Sequence, residues 1–285
     1  MDDSRPEAST GFVDLHSHTT FSDGLLTPEQ LIAHAKKRSL RALAITDHDT
    51  IEAVNSAVSA AQAQGMEIVP GVELSATEGN SDVHILGYYI YAAHDELLSH
   101  LATFRTGRFV RAQRMVSELN NLGMGITFDQ VLEKAGGESG SIGRPHVAQV
   151  LVDGGHVKTL NEAFRKYIGS GRPAYVEKHK ISASDAIGLI QSAGGIAVMA
   201  HPGSIRRDEL IPELTASGLS GLEVFHPEHN ETQRRYYGQL AQKHGLVITG
   251  GSDYHGPREG RADLGSLKIP YSVLSSMRQR WKSGN

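Results

Sequence analysis

Six histidines and three carboxylates stand just past short apolar runs that are far apart in the chain: His16, His18, Asp23, His48, Glu73, His84, His201, Asp253 and His255. Imidazole and carboxylate donors suit borderline divalent cations, and this set exceeds what one four-ligand site needs. The expectation is a multinuclear metal centre. Three divalent cations would bring six positive charges; the three carboxylates cancel three and neutral imidazoles cancel none. The remaining net positive pocket suits a phosphate ester and a metal-bound hydroxide.

The spacing within each motif carries the argument. In Asp14-Leu-His16-Ser-His18 the two histidines are two apart at the end of an apolar run, so extended backbone aims both rings the same way. Thr19-Thr-Phe-Ser-Asp23-Gly24 adds a carboxylate before a glycine turn. His48 follows directly on another apolar run, in Thr46-Asp47-His48-Asp49. Glu73 ends Ile68-Val69-Pro70-Gly71-Val72, where an unpaired buried carboxylate would cost several kcal/mol and a bridging metal role removes that cost. His84 sits inside Val83-His84-Ile85-Leu86, a setting that also fits a hydrogen-bonded core histidine. Ala200-His201-Pro202 and Gly251-Ser-Asp253-Tyr-His255-Gly256 repeat the pattern of a ligand after an apolar strand. His226 and His229 also lie past a strand, and read equally as groups supporting the site or as polar loop residues.

These groups must be positioned by a repeating scaffold. Apolar runs read as strands at Phe12 to Leu15, Ala42 to Thr46, Glu67 to Leu74, Val83 to Tyr91, Ile196 to Ala200, Leu222 to Phe225 and Leu246 to Thr249. Helical patterns alternate with them at Pro28 to Arg38, Ile51 to Gln64, Ser184 to Ala193, Asp208 to Ser217 and Glu231 to His244. Thr27 before Pro28 is an N-cap with proline at the first helical position, and Gly65 suits a helix C-terminus. Repeated strand-helix units imply a parallel sheet or barrel, whose strand ends converge on one crevice and so bring sequence-distant ligands together. The segment from Asp95 to Ser182 breaks the rhythm with helical pieces at Asp95 to Asn121, Phe128 to Ala135, Pro145 to Val152 and Leu160 to Tyr167. The chain therefore divides into a loose polar tail (1–10), a first barrel part (11–94), a helical insertion (95–182) and a second barrel part (183–285).

Composition bounds the function. The chain has 285 residues, 39% of them hydrophobic and 21% charged, and no apolar run reaches the roughly 18 residues of a membrane span. The N-terminus MDDSRPEAST lacks the basic and apolar regions of a secretory signal. With no cysteine, thiolate metal sites and disulfides are excluded, which fits a reducing, cytoplasmic setting. A net charge of −4 argues against a general nucleic-acid coat. The insertion differs: its 12 Lys/Arg against 9 Asp/Glu give +3, leaving −7 for the rest. It is the expected place for a phosphate-rich partner. Arg144 and His146, at a loop-to-helix entry, are candidate phosphate contacts, with Lys178 and Arg206 as further cations. Arg105, Arg108, Arg111 and Arg114 form a near-helical stripe that reads either as a solvated face or as a track for an RNA backbone.

Taken together, D-L-H-S-H with F-S-D-G, T-D-H-D, G-V-E, V-H-I-L-G-Y, A-H-P and G-S-D-Y-H-G resemble the motifs of the PHP (polymerase and histidinol phosphatase) family of metal-dependent phosphoesterases. The insertion carrying Gly143-Arg144-Pro145-His146-Val147-Ala148 resembles the branch that contains nucleoside 3′,5′-bisphosphate phosphatases and the 5′-to-3′ exoribonuclease called ribonuclease AM. The resemblance implies an α/β fold, a distorted (β/α)7 TIM-like barrel with a trinuclear, usually manganese-loaded centre; Fe2+, Zn2+ and Mg2+ are the alternatives. It places His16, His18, Glu73 and Asp253 on one metal, Glu73, His84 and His201 on a second, and Asp23, His48 and His255 on a third. The attacking group would be a hydroxide held at Glu73, His84 and His201 with help from His229. Arg144, His146, Lys178, Arg206, His226 and His229 would contact substrate. The implied reaction is removal of the 3′-phosphate from a small nucleotide such as adenosine 3′,5′-bisphosphate, extending to short 5′-phosphorylated single-stranded RNA. A histidinol-phosphate-type phosphatase and a noncatalytic metal-binding module are the alternatives. Neither a membrane nor an obligate protein partner is expected.

Overall fold

The computed structural model describes residues 11–79, 81–137, 141–177, 181–257 and 261–284. The expected tail (1–10) and Lys178 lie outside the described residues. In chain order the elements begin β1 (Phe12–Asp14), α1 (Pro28–Lys37), β2 (Leu40–Ile45), α2 (Val54–Gln64), β3 (Glu67–Glu78) and β4 (Ser81–Tyr88). Next come α3 (Asp95–Asn121), α4 (Phe128–Lys134), α5 (Arg144–Asp153) and α6 (Leu160–Ala163), which runs into a π-helical turn over Phe164–Ile168. Then follow α7 (Ala183–Ser192), β5 (Ile196–Met199), α8 (Pro202–Ile205), α9 (Leu210–Ala216), β6 (Gly221–Phe225) and α10 (Glu231–Lys243). The described chain ends with β7 (Val247–Gly250), β8 (Ile269–Pro270) and α11 (Tyr271–Gly284).

Local chemistry accounts for the helix ends. Thr27 caps α1 by accepting from the Gln30 N–H, while the Gln30 side chain accepts from the Thr27 N–H at 2.9 Å, a reciprocal box with Pro28 behind it. Gly65 ends α2 in the left-handed region at φ 61°.

The eight strands form one sheet in the order β7-β6-β5-β4-β3-β2-β1-β8. The ring nearly closes, because the Leu15 N–H donates to the Gly250 carbonyl at 3.1 Å and Ser17 bridges to Tyr254. The expected α/β barrel is therefore present. Its strands are not all parallel, however. β4 runs antiparallel to both β3 and β5, and the short β8 runs antiparallel to β1. Only residues 79 and 80 separate β3 from β4, which suffices for a hairpin, whereas a parallel crossover needs a dozen or more residues.

Inside the ring, alternate residues of each strand pack together: Val13 and Leu15, Ala42 and Ala44, Leu86 and Tyr88, Ile196 and Val198. Tyr271, Leu274 and Met277 of α11 join this cluster and close the barrel at the end away from the ligand loops. Continuing the same alternation toward the other end, Val69–Gly71–Glu73 and Tyr88–Leu86–His84 carry Glu73 and His84 inward above the apolar plug.

The inserted helices have a core of their own, from Ala112, Met115 and Leu119 of α3 through Val131, Val147 and Leu151 to Ala174. The expected insertion begins where α3 begins, at Asp95, and that helix has two allegiances. Leu97, Leu101 and Phe104 in the first half of α3 pack with the barrel-side cluster, and only its second half enters the insertion core.

Candidate metal centre

Glu73 is the hub. Its side chain is 1% exposed, and five imidazoles converge on its two oxygens. His16, His18 and His48 stand 3.2, 3.3 and 3.0 Å from Oε2; His84 and His201 stand 2.7 and 3.3 Å from Oε1. A carboxylate facing separate groups of rings through each oxygen has the shape of a bridging ligand. His48 Nδ1 is buried and makes no hydrogen bond despite its distance from Glu73, and His201 Nδ1 is likewise buried without a partner. Donor atoms that crowd together without pairing fit cation binding.

Three groups of donor atoms converge within 4.8 Å: His16, His18, Glu73 and Asp253; His18, Asp23, His48 and His255; and His48, Glu73 and His84. All nine expected ligands meet around this centre, but the partition differs from that implied by the resemblance. His18 and His48 each belong to two groups, and His201 approaches through Glu73 without joining the tight third group.

The backbone at these positions is held in uncommon conformations. His201, Asp253 and Asp49 adopt φ of 28°, 50° and 52°, positive values that L-residues rarely occupy. Close approach is also built in. A Cβ on Gly251 would lie 2.3 Å from His16 Cβ, so the loop bearing Asp253 can pass β1 only with glycine there.

Buried carboxylates behind the donors pin their loops. Asp14 accepts from the Ser252 and Gly265 N–H groups, both at 2.8 Å, tying the Asp253 loop to β1. Asp47 accepts from the Thr19 N–H at 2.7 Å and from the Thr19 and Ser22 hydroxyls, fixing the turn between His18 and Asp23. Asp49 accepts from the Ser75 N–H at 2.7 Å and from Arg108. Glu223, fully buried, accepts from His16 Nδ1 at 2.9 Å and from the His201 N–H at 2.8 Å. Asp14, Asp47 and Asp49 lie inside two of the motifs recognised in the sequence but carry no assigned role there, and Glu223 is not among the sequence candidates. The available signal was a charged residue in the otherwise apolar Leu222-Glu-Val-Phe225 strand.

The electrostatics follow from burial opposed by opposite charge. Burial pushes the Glu73 carboxyl up, but His48, His16 and His84 hold it well below the usual range. Asp23, beside His255 and His48, and Asp253, beside His16 and His255, are held well below it against the same burial. Burial pushes His16 down, yet Glu223, Glu73 and Asp253 lift it well above an ordinary imidazole. For His84 burial prevails over Glu73 and lowers it to about 4, so its ring stays neutral.

A cavity of about 170 Å³ opens from the Asp23, His48 and His84 side of the cluster into the insertion, where Arg108, Arg111, Arg144, Phe104 and Phe164 line it. Of the arginine stripe on α3, Arg105 and Arg114 are exposed, whereas Arg108 and Arg111 turn inward. Arg111 Nε donates to the Val176 carbonyl at 2.7 Å, and among the described residues it makes no ion pair. Burial and the neighbouring Arg144 and Arg108 charges lower it to about 10. Arg144 reaches Asp82 only at 3.5 Å.

The other substrate candidates fare differently. His226 is buried beside the cluster, its Nε2 unpaired 3.8 Å from Asp253 Oδ2. It faces a second opening lined by Asn161, Glu228, Asp253 and Arg261. Two of the candidates have ring nitrogens engaged by the backbone. His146 Nδ1 accepts from the Gly143 N–H at 3.0 Å and caps α5. His229 donates from Nδ1 to the Val224 carbonyl and accepts at Nε2 from the Gly203 N–H, both at 3.0 Å, leaving neither nitrogen for catalysis. Arg206 is exposed at the end of α8, apart from the residues lining either opening.

Comparison with known proteins bears on these features. The PHP domain model matches residues 14–180. A 3′,5′-nucleoside bisphosphate phosphatase of Chromobacterium violaceum is 38% identical over 89% of this chain and 90% of its own. The 5′-3′ exoribonuclease Rnm of Salmonella typhimurium is 34% identical over 86% of this chain and 85% of its own. A solved structure from Bifidobacterium adolescentis, described as a metal-dependent phosphoesterase, superposes with TM-score 0.88 at 34% identity, covering 97% of this chain and 98% of that one.

Proposed function

The chain belongs to the PHP domain family, and from that premise we propose that it hydrolyses the 3′-phosphate of nucleoside 3′,5′-bisphosphates at a three-metal centre. The observation that carries this reading is one cavity with the donor cluster on one wall and three arginines, Arg108, Arg111 and Arg144, on the other. Such a cavity suits a substrate with two phosphates, one to react and one to hold.

The ligand sets in this reading are His16, His18, Glu73 and Asp253; Glu73, His84 and His201; and Asp23, His48 and His255, with Glu73 bridging. Nitrogen and oxygen donors without sulfur suit Mn2+, and also Fe2+ or Zn2+. When bound, the cations supply Lewis-acid activation of water and of the phosphoryl oxygens. The remaining work falls to the chain. Arg111 and Arg144 bind the 5′-phosphate by charge-assisted hydrogen bonds, and Phe104 and Phe164 give the nucleoside apolar walls. His226, on the far opening, faces the phosphoryl group from the side away from the nucleoside and its leaving 3′-oxygen.

The same arrangement supports 5′-to-3′ removal of nucleotides from short RNA, since a bisphosphate is a 5′-phosphorylated nucleotide with the smallest 3′ substituent. Histidinol phosphate fits less well, because its cationic amine would face the arginines. No helix among the described residues is long and apolar enough to cross a membrane, and a cytoplasmic nucleotide substrate accords with the cysteine-free chain. The test is to assay manganese-loaded protein on adenosine 3′,5′-bisphosphate, a 5′-phosphorylated oligoribonucleotide and histidinol phosphate. Phosphate release from the first is expected; turnover of histidinol phosphate alone would overturn the reading.

A further inference from the structure

Glu223 joins two ligands assigned to different cations. One oxygen accepts from the His16 ring at Nδ1, and the other accepts from the backbone N–H of His201. His16 turns its Nε2 to the cluster, 3.2 Å from Glu73 Oε2 and 3.3 Å from Asp253 Oδ1. His201 is held at φ 28°, a conformation that needs support from its surroundings. Both contacts require Glu223 as an acceptor.

We propose that Glu223 is a positioning residue that couples loading of the two metal positions served by His16 and His201, fixing the tautomer of one and the backbone of the other. The proposal rests on the three-metal reading above. With Nδ1 bound to hydrogen and donating to Glu223, His16 presents a bare Nε2 lone pair to a cation. Because the same carboxylate holds the His201 N–H, a cation that draws His16 into place also stiffens the second position. The two cations therefore load together, and the third, on Asp23, His48 and His255, loads independently of Glu223.

The Glu223→Gln change tests this through acceptor count. A glutamine at this position has one acceptor oxygen for two donors. Its NH2 must face either His16 Nδ1, which forces the proton to Nε2 and blocks the cation, or the His201 N–H, donor against donor. Metal-free wild type and the Glu223→Gln and Glu223→Asp variants are titrated with Mn2+ by calorimetry, with bound metal counted by elemental analysis and folding followed by circular dichroism. The metal-free wild type is also examined by 15N resonance of the His16 ring.

The expected result is a wild-type isotherm with two coupled ions and one separate ion, and a His16 proton on Nδ1. In Glu223→Gln the coupled pair should weaken about 10- to 100-fold while the separate ion binds as before. Glu223→Asp, which keeps two acceptors, should restore part of the coupling. An unaltered isotherm in folded Glu223→Gln, or a wild-type His16 ring whose Nδ1 carries no proton, would overturn the proposal. If Glu223→Gln fails to fold, the wild-type ring proton and the Glu223→Asp isotherm decide. Wild-type protein that binds no Mn2+ would instead remove the three-metal reading itself.

Discussion

Arg108 of α3 grips Asp49, the residue after His48, through Nε at 2.9 Å and through Nη2. The same guanidinium reaches the Ser75 hydroxyl at 3.0 Å, two residues beyond Glu73. A side chain of the inserted segment thus ties the loop that carries His48 to the strand that carries Glu73. Asp49 is 2% exposed, and burial raising its carboxyl is overcome by Arg108.

Removing one partner of this pair should cost more than removing both. Arg108→Ala leaves a buried carboxylate without its cation, a loss of about 3 to 5 kcal/mol. Arg108→Met with Asp49→Asn should recover most of that stability without recovering turnover, because the cavity still lacks a guanidinium. Urea unfolding of the metal-free proteins checks the first part. A single Arg108→Ala as stable as wild type would show that the pair is not holding the loop.

Arg111 and Arg144 should separate binding from chemistry. Each charge-assisted contact to a phosphate contributes about 1.5 to 3 kcal/mol, roughly a 10- to 150-fold effect. Either arginine changed to alanine should lower kcat/KM on adenosine 3′,5′-bisphosphate by that factor, chiefly through KM. Hydrolysis of p-nitrophenyl phosphate, which has no second phosphate, should barely change. Equal losses on both substrates would mean that the arginines act on the reacting group.

The sequence and the structure part company at identifiable places. Ligands placed by strand ends were legible because an apolar run, a histidine and a turn are contiguous, as in Ala200-His201-Pro202. Antiparallel β4 was harder, since a buried strand reads the same in either direction and only the two-residue link to β3 betrays it. The roles of Arg108 and Arg111 depend on which face of α3 meets the barrel, and a uniform stripe of arginines does not state it. The backbone contacts of His146 and His229 are not legible in residue type, because the N–H and carbonyl groups that engage them are placed by backbone geometry.

Glu73 should be the least replaceable ligand. Glu73→Gln removes the negative charge that faces five imidazoles, so the two ions it bridges should be lost and activity on the bisphosphate should fall with them. His48→Ala should also lose most activity with little loss of folding. Elemental analysis beside the assay distinguishes the outcomes: full metal content in Glu73→Gln would remove its bridging assignment.

Proton competition gives the last prediction. Without cations, burial depresses His16, His18, His48 and His201, but adjacent carboxylates outweigh it and raise all four above the ordinary 6.5. A group whose affinity for protons is raised is more protonated at pH 7 than it would be in the unfolded chain, and a cation can bind only after that proton leaves. Metal binding at pH 7 should therefore release protons, and apparent affinity should rise as pH increases from 6.5 upward through the raised values. His84, lowered to about 4, should contribute none of this release at neutrality. Calorimetric titration with Mn2+ in two buffers of different ionisation enthalpy counts the protons. Identical heats in the two buffers at pH 7 would show that the imidazoles are already neutral and that the carboxylates do not raise them.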